Sequence, residues 1–229
     1  MEKHTIHTKS LNRFLQILDS SFPSGSFVHS FGLEPYIVLG KVKNYTDLKK
    51  YFENLIIDQY QKLEFPFVKK IFILLKENNL NLLIKEDIKF SAILNYEFSK
   101  ASLDIGQNYL KQINFDINKT VVKKYFEKAM AKHFLGNELV VLSTYAYELD
   151  INCDTFLLLW SKKNIINTAY TSLKISRISP SDLQKLLFEF DDKLGNYIKN
   201  SSSAIQNFNI GFEEVIYQHA RLEPKMFAT

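Results

Sequence analysis

The sequence predicts an all-α fold, a single-domain helical bundle of about eight to ten helices. Three observations predict it. Apolar residues recur at helical spacing almost throughout the 229 residues. Glycine occurs only 7 times and proline 5, too few for the frequent turns of a barrel or sandwich. No Asn-Gly or Asp-Gly hairpin signal occurs. An apolar fraction of 46% against 24% charged residues marks a globular chain able to bury a large core.

Tyr45, Leu48, Phe52, Leu55 or Ile56, and Leu63 form the first clear stripe, with Lys49, Lys50, Glu53 and Asn54 on the other faces. Phe65–Leu75 repeats the pattern after Pro66, which suits a first helical turn. Ile88–Leu110 reads as two segments meeting near Lys100. Thr120–Leu135 and Glu138–Leu149 read as a helical pair, with Gly136 at the joint as a left-handed cap. Phe156, Trp160, Ile166, Ala169 and Leu173 form another stripe. Ser179-Pro180-Ser181-Asp182 is a sharp helix start, with Ser179 as N-cap, Pro180 first in the helix and Asp182 three positions after the cap. Leu183, Leu186 or Leu187, Phe190 and Leu194 follow, and Gly195 is placed to end that helix. A last helix is expected over about 202–219. The domain is expected over 10–220, flanked by a flexible terminus at 1–9 and a flexible tail at 221–229.

The composition argues against several function classes. The net charge of +4 comes from 26 Lys, only 3 Arg and 25 acidic residues, a solvated coat rather than a nucleic-acid footprint, which favours Arg. The longest apolar runs, Ile71–Leu75 and Phe156–Trp160, are far too short for a membrane span, and the polar start MEKHTIHTKS lacks a secretion signal. A cytoplasmic protein is therefore expected. One cysteine, Cys153, excludes an internal disulfide framework and reads as a buried small residue. No phosphate loop, dinucleotide fingerprint or nucleophile elbow occurs. Ser24, Ser26 and Ser30 beside His29 are only sequence neighbours. His4 and His7 could grip a metal if helical, giving an alternative reading as an independent nickel carrier with His29. A disordered polar terminus is the simpler reading of that pair. No cofactor, no metal site and no enzymatic activity are expected.

Residues 20–36, SSFPSGSFVHSFGLEPY, break the helical pattern. Pro23 and Gly25 punctuate a loop, and Phe22 and Phe31 are candidates to plug the core beneath it. Either this is a well-capped corner, or it is a surface where Phe27 and His29 face a partner.

Four blocks carry a family resemblance. Phe22-Pro23-Ser24-Gly25-Ser26-Phe27, His29-Ser30-Phe31-Gly32-Leu33-Glu34 and Tyr36-Ile37 closely resemble the N-terminal signature of the urease accessory protein F family (UreF). Glu97, Ala101-Ser102 and Gly106 resemble its Glu-x-x-x-Ala-Ser/Asn-x-x-x-Gly helix. Leu173-Lys174 through Lys185 resembles a further block, with Arg177 for its proline, Pro180 for its glutamine and Leu183 for its glycine. His219 through Thr229 resembles the family's C-terminal segment, with Lys225 for its arginine and Glu223-Pro224 as a variation. Lysine there lacks the planar fork of arginine.

The resemblance implies an all-α, non-enzymatic maturation chaperone that forms a homodimer. It implies binding to a UreD/UreH-type accessory protein and recruitment and regulation of a UreG-type GTPase. Through that assembly it implies nickel insertion into the active site of the urease apoprotein. It makes Phe27, His29, Lys174, Arg221, Lys225, Met226 and Phe227 the partner-binding candidates. Phe27 as core packing, and Lys174 as a solvated helix lysine, are the plain alternatives. Pro23, Gly25, Gly32 and Glu34 are expected to shape the loop.

Overall fold

The structure is a computed structural model that describes residues 7–26, 30, 32–175, 178–206, 214, 215, 217, 222, 223 and 226, with the side chains of 174 and 175 outside the description. Most of the described residues are helical, and no strand occurs among them. The helices are α1 (Thr8–Leu18), α2 (Leu33–Val38), α3 (Tyr45–Asn54), a π-helical segment (Leu55–Glu64), α4 (Phe65–Lys76), α5 (Leu80–Ile93), α6 (Tyr96–Ile113), α7 (Thr120–Met130), α8 (Glu138–Glu148), α9 (Cys153–Ile175) and α10 (Pro180–Lys199). α3, the π-helical segment and α4 follow without a break, so nine continuous rods are described, as the sequence predicts. α1 already begins at Thr8, inside the stretch expected to be flexible.

Local chemistry explains the starts. Asn44, Asn79, Asn95, Asn137 and Asn152 each accept a hydrogen bond from a backbone N–H two or three residues on, capping α3, α5, α6, α8 and α9. Ser179 Oγ accepts from Asp182 N at 3.1 Å, with Pro180 first in α10. The junction expected near Lys100 falls at Leu94-Asn95, because Asn95 supplies the cap that Lys100 cannot. The left-handed residue after α7 is Lys132 (φ 59°), not Gly136. Gly136 is small for packing instead: a Cβ there would lie 2.9 Å from Val141 Cγ2 and 3.2 Å from Tyr125 Oη. Gly195 does not end α10, which runs on to Lys199. On α9, Ile165 is buried and Ile166 half-buried, together with a polar set that includes Ser161, Asn164, Thr168 and Ser172. Thr171 and Ser172 donate back to carbonyls three residues earlier, so periodicity of apolar residues alone did not mark that face.

Contacts gather into two compact units whose segments interleave in sequence, with boundaries after residues 26, 66 and 157. In the first unit, 1–26 with 67–157, α6 packs on α7 and α8. Its core includes Phe14 on Phe156, and Phe67 stacked on Phe90 at 3.9 Å. Each such ring contributes about 1.5–3 kcal/mol by burial. The face of α6 that meets α8 is the Ala101-Ser102-Gly106 block. Ser102 Oγ accepts from Glu138 N at 3.2 Å, and a Cβ on Gly106 would lie 2.1 Å from Gly136 O. The same unit holds Asp87, fully buried. It accepts from Tyr125 Oη at 2.6 Å and from Asn137 N at 3.1 Å, joining α5, α7 and the start of α8.

In the second unit, 27–66 with 158–229, α10 packs on α3 and the π-helical segment. Phe52 meets Phe190, and Tyr60 meets Trp160 at 5.0 Å. Lys49–Glu189 and Lys193–Glu53 pair across α3 and α10. Pro66 lies in the first turn of α4, as expected, and α4 follows the π-helical segment without a break. It lies just past the π-helical segment and offers no N–H to the Lys62 carbonyl in α register or to the Gln61 carbonyl in π register. Both carbonyls are satisfied from elsewhere: Ser202 N donates to Gln61 O at 2.9 Å and Gln206 N donates to Lys62 O at 2.9 Å. The Gln61 side chain also donates to Tyr197 O at 2.7 Å. Of the helix expected over about 202–219, the described residues 214, 215 and 217 are helical, whereas 202–206 form a bent, non-helical strap on the Gln61 and Lys62 carbonyls. Pro66→Ala is expected to supply the missing donor and displace the strap. One N–H competes for one carbonyl, so amide exchange at either Ser202 or Gln206 should rise about tenfold while helix content is kept; unchanged protection at both would refute the competition.

Candidate functional site

The signature loop is built in two halves. Up to Ser26 it belongs to the first unit. Phe22 is half-buried and stacks on Tyr109 of α6 at 5.4 Å, 15° from parallel. Tyr109 in turn donates to Ile17 O at 3.1 Å. Asn108 Nδ2 donates to Ser24 O at 3.1 Å. Ser24 and Ser26 are buried and bonded to each other. Gly25 takes φ 81°, in the left-handed region, and a Cβ there would sit 3.3 Å from Asn108 Nδ2. Pro23 is exposed, and with Leu15 and Phe22 it lines an open depression of about 630 Å³ beside α1. At its edge Asp19 accepts from the Ser21 hydroxyl and backbone, and those bonds lower its carboxyl below the ordinary value.

The second half belongs to the second unit. Gly32 caps α2 at φ 87°, again left-handed. Buried Ser30 accepts from Leu33 N through its carbonyl at 3.1 Å. Glu34, in the first turn of α2, is 1% exposed, and one of its oxygens accepts from the backbone N–H of Met226 at 2.7 Å. Tyr36 lies edge-on to Tyr51 at 5.0 Å, and burial raises its hydroxyl above the ordinary value. Two segments that the sequence separates by 192 positions, the loop and the C-terminal tail, therefore meet at Glu34.

Gly25 and Gly32, two of the residues expected to shape the loop, both have positive φ. Glu34 does more than shape the loop, since it receives the tail. Of the partner-binding candidates, Met226 is 58% exposed. Lys174 is in the last turn of α9, with its side chain outside the description. Phe27, His29, Arg221, Lys225 and Phe227 lie outside the described residues, as do Phe31 and His4. His7 precedes α1 and makes no side-chain cap. Among the described residues no group of three His, Cys, Asp or Glu side chains is placed to hold a metal ion. Among them, too, no helix is long and apolar enough to cross a membrane. Cys153 is half-buried, and burial pushes its thiol up to about 12, which leaves it a poor nucleophile at neutral pH.

Sequence reasoning did not find Asn108 and Tyr109, which seat the first half of the loop, or the Gln61 and Lys62 carbonyls. The only local signal for the latter was Pro66 inside a helical stretch.

Comparison with known proteins identifies the family. The family model UreF matches residues 42–191. "Urease accessory protein UreF" of Bacillus sp. (strain TB-90) is 26% identical over 230 residues, covering 95% of this chain and 99% of the relative. The protein of the same name in Ureaplasma parvum serovar 3 is 29% identical over 157 residues, covering 67% and 66%. That of Actinobacillus pleuropneumoniae serotype 5b is 21% identical over 192 residues, covering 83% and 85%. With the family pattern matched over most of its length, this chain belongs to the UreF family.

Proposed function

We propose that this protein is a urease accessory protein acting as a maturation chaperone. It binds a UreD/UreH-type accessory protein, recruits and regulates a UreG-type GTPase, and so supports nickel insertion into the urease apoprotein. It works as a cytoplasmic homodimer and has no catalytic chemistry of its own. The observation that carries this reading is the family match over residues 42–191, extended to nearly full length by a relative bearing the urease accessory name. The geometry supports a docking role through the exposed Met226 side chain, on a segment held beside the signature loop. A protein of this kind acts by differential binding, holding one state of its partner more tightly than another.

The test is co-purification with the two partners and urease activation in a strain lacking the gene. Removing residues 221–229 is expected to leave the melting temperature within about 3 °C, because the deletion takes no described core side chain. It should reduce capture of the UreD/UreH-type partner by at least tenfold. A full-length protein that captures neither partner, with urease fully nickel-loaded in its absence, would sink the proposal.

A further inference from the structure

We infer that Glu34 is the positioning residue for the C-terminal tail. Its buried carboxylate clips the tail by its main chain and so leaves the Met226 side chain facing outward for a partner. This rests on the docking role proposed above.

A glutamate in the first turn of a six-residue helix is ordinarily exposed, and one that is 1% exposed needs a donor. Its location is fixed by the preceding turn. Gly32 reverses the chain in the left-handed conformation, and the Ser30 carbonyl and hydroxyl accept from Leu33 N and Glu34 N at 3.1 and 3.4 Å. The carboxylate then accepts from Met226 N at 2.7 Å, the length of a charge-assisted bond. The contact reads the backbone and not the side chain, since Met226 remains 58% exposed. The strap at the root of the same segment is held the same way, by the N–H groups of Ser202 and Gln206 on the Gln61 and Lys62 carbonyls. The Met226 contact holds the tail through its main chain and spends no apolar side chain there. Met226 is thus presented as a pre-ordered anchor, which lowers the ordering cost that a free tail would meet on docking.

The full-length protein tests this in two ways. Amide exchange at Met226 needs no partner. It is expected to be slowed at least tenfold relative to an unstructured peptide, to lose that protection in Glu34→Ala, and to keep it in Met226→Ala, which retains the N–H. Capture of the UreD/UreH-type partner is expected to fall about tenfold in Glu34→Ala. Met226→Pro removes the donor without touching any core side chain, so it should also lose capture, and by more than Met226→Ala, even if Glu34→Ala fails to fold. Two results would overturn the inference: peptide-like exchange at Met226 in the unaltered protein, or capture in Met226→Pro equal to that in Met226→Ala. If the unaltered protein captures no partner at all, the docking role fails, and the exchange data still decide whether Glu34 holds the tail.

Discussion

Gly106→Ala is expected to cost about 3 kcal/mol or more and to lower the melting temperature by roughly 6–12 °C for a chain of this size. The new methyl carbon would lie 2.1 Å from Gly136 O, 2.9 Å from Glu138 N and 3.0 Å from Asn137 C. All three are backbone atoms, so no side chain can rotate away. The start of α8 would have to retreat from α6 by about an ångström, since close-packed interiors have no slack at that scale. That retreat pulls Glu138 N from Ser102 Oγ and Asn137 N from Asp87. Gly195 is the control: a Cβ there meets nothing within 4 Å. Gly195→Ala should therefore stabilise by about 0.5–1 kcal/mol, the helix-propensity difference. Equal melting temperatures for the two variants would show that the α6–α8 contact is not as close as described.

Substitution of Asp87 is expected to show opposite results depending on the replacement. Asp87→Ala leaves the Tyr125 hydroxyl and the Asn137 N–H buried without an acceptor. It should cost about 3 kcal/mol, measured by denaturant unfolding. Asp87→Asn keeps one acceptor for Asn137 N and gains a donor for Tyr125, and it removes a charge. Burial raises the Asp87 carboxyl from 3.8 to about 7 against the opposing bonds from Tyr125 and Asn137. The folded protein therefore keeps its proton up to about pH 7, whereas the unfolded chain releases it near pH 4. The unfolded state binds fewer protons in that window, so this group's contribution to stability falls as pH rises from about 4 to about 7, then levels off. Glu64, raised by burial from 4.5 to about 7, adds a slope of the same sign. In Asp87→Asn the first slope disappears and the second remains. The variant should gain on the unaltered protein by up to about 4 kcal/mol between pH 4 and pH 7. A difference independent of pH would mean that Asp87 is charged throughout.

Much of this architecture was legible because its causes lie within one helical turn. Ser179-Pro180-Ser181-Asp182 starts α10 as expected, since cap, first residue and acid all act on neighbouring N–H groups. Gly25 and Gly32, both read as loop residues, take left-handed angles. Errors arose where a glycine answers to a distant segment. Gly136 looked like a cap but is small to admit Tyr125 and Val141, and the turn is made by Lys132. Pro66 falls in the first turn of α4 as expected, but its place beside two carbonyls that the N–H groups of Ser202 and Gln206 reach left no local sign. The loop and the tail were both visible as sequence blocks. Their meeting through Glu34 and Met226 was not.

Taken alone, the sequence determined the helical class, the chain's family resemblance and those helix boundaries set by caps. These depend on periodicity and on side chains bonding their own neighbours, which operate over three or four residues. Only the tertiary structure decided which glycines must stay bare, where a buried carboxylate finds its donors, and what holds the C-terminal segment. Those depend on close approach and hydrogen-bond completion between residues far apart along the chain, and such pairings leave no periodic trace in either partner.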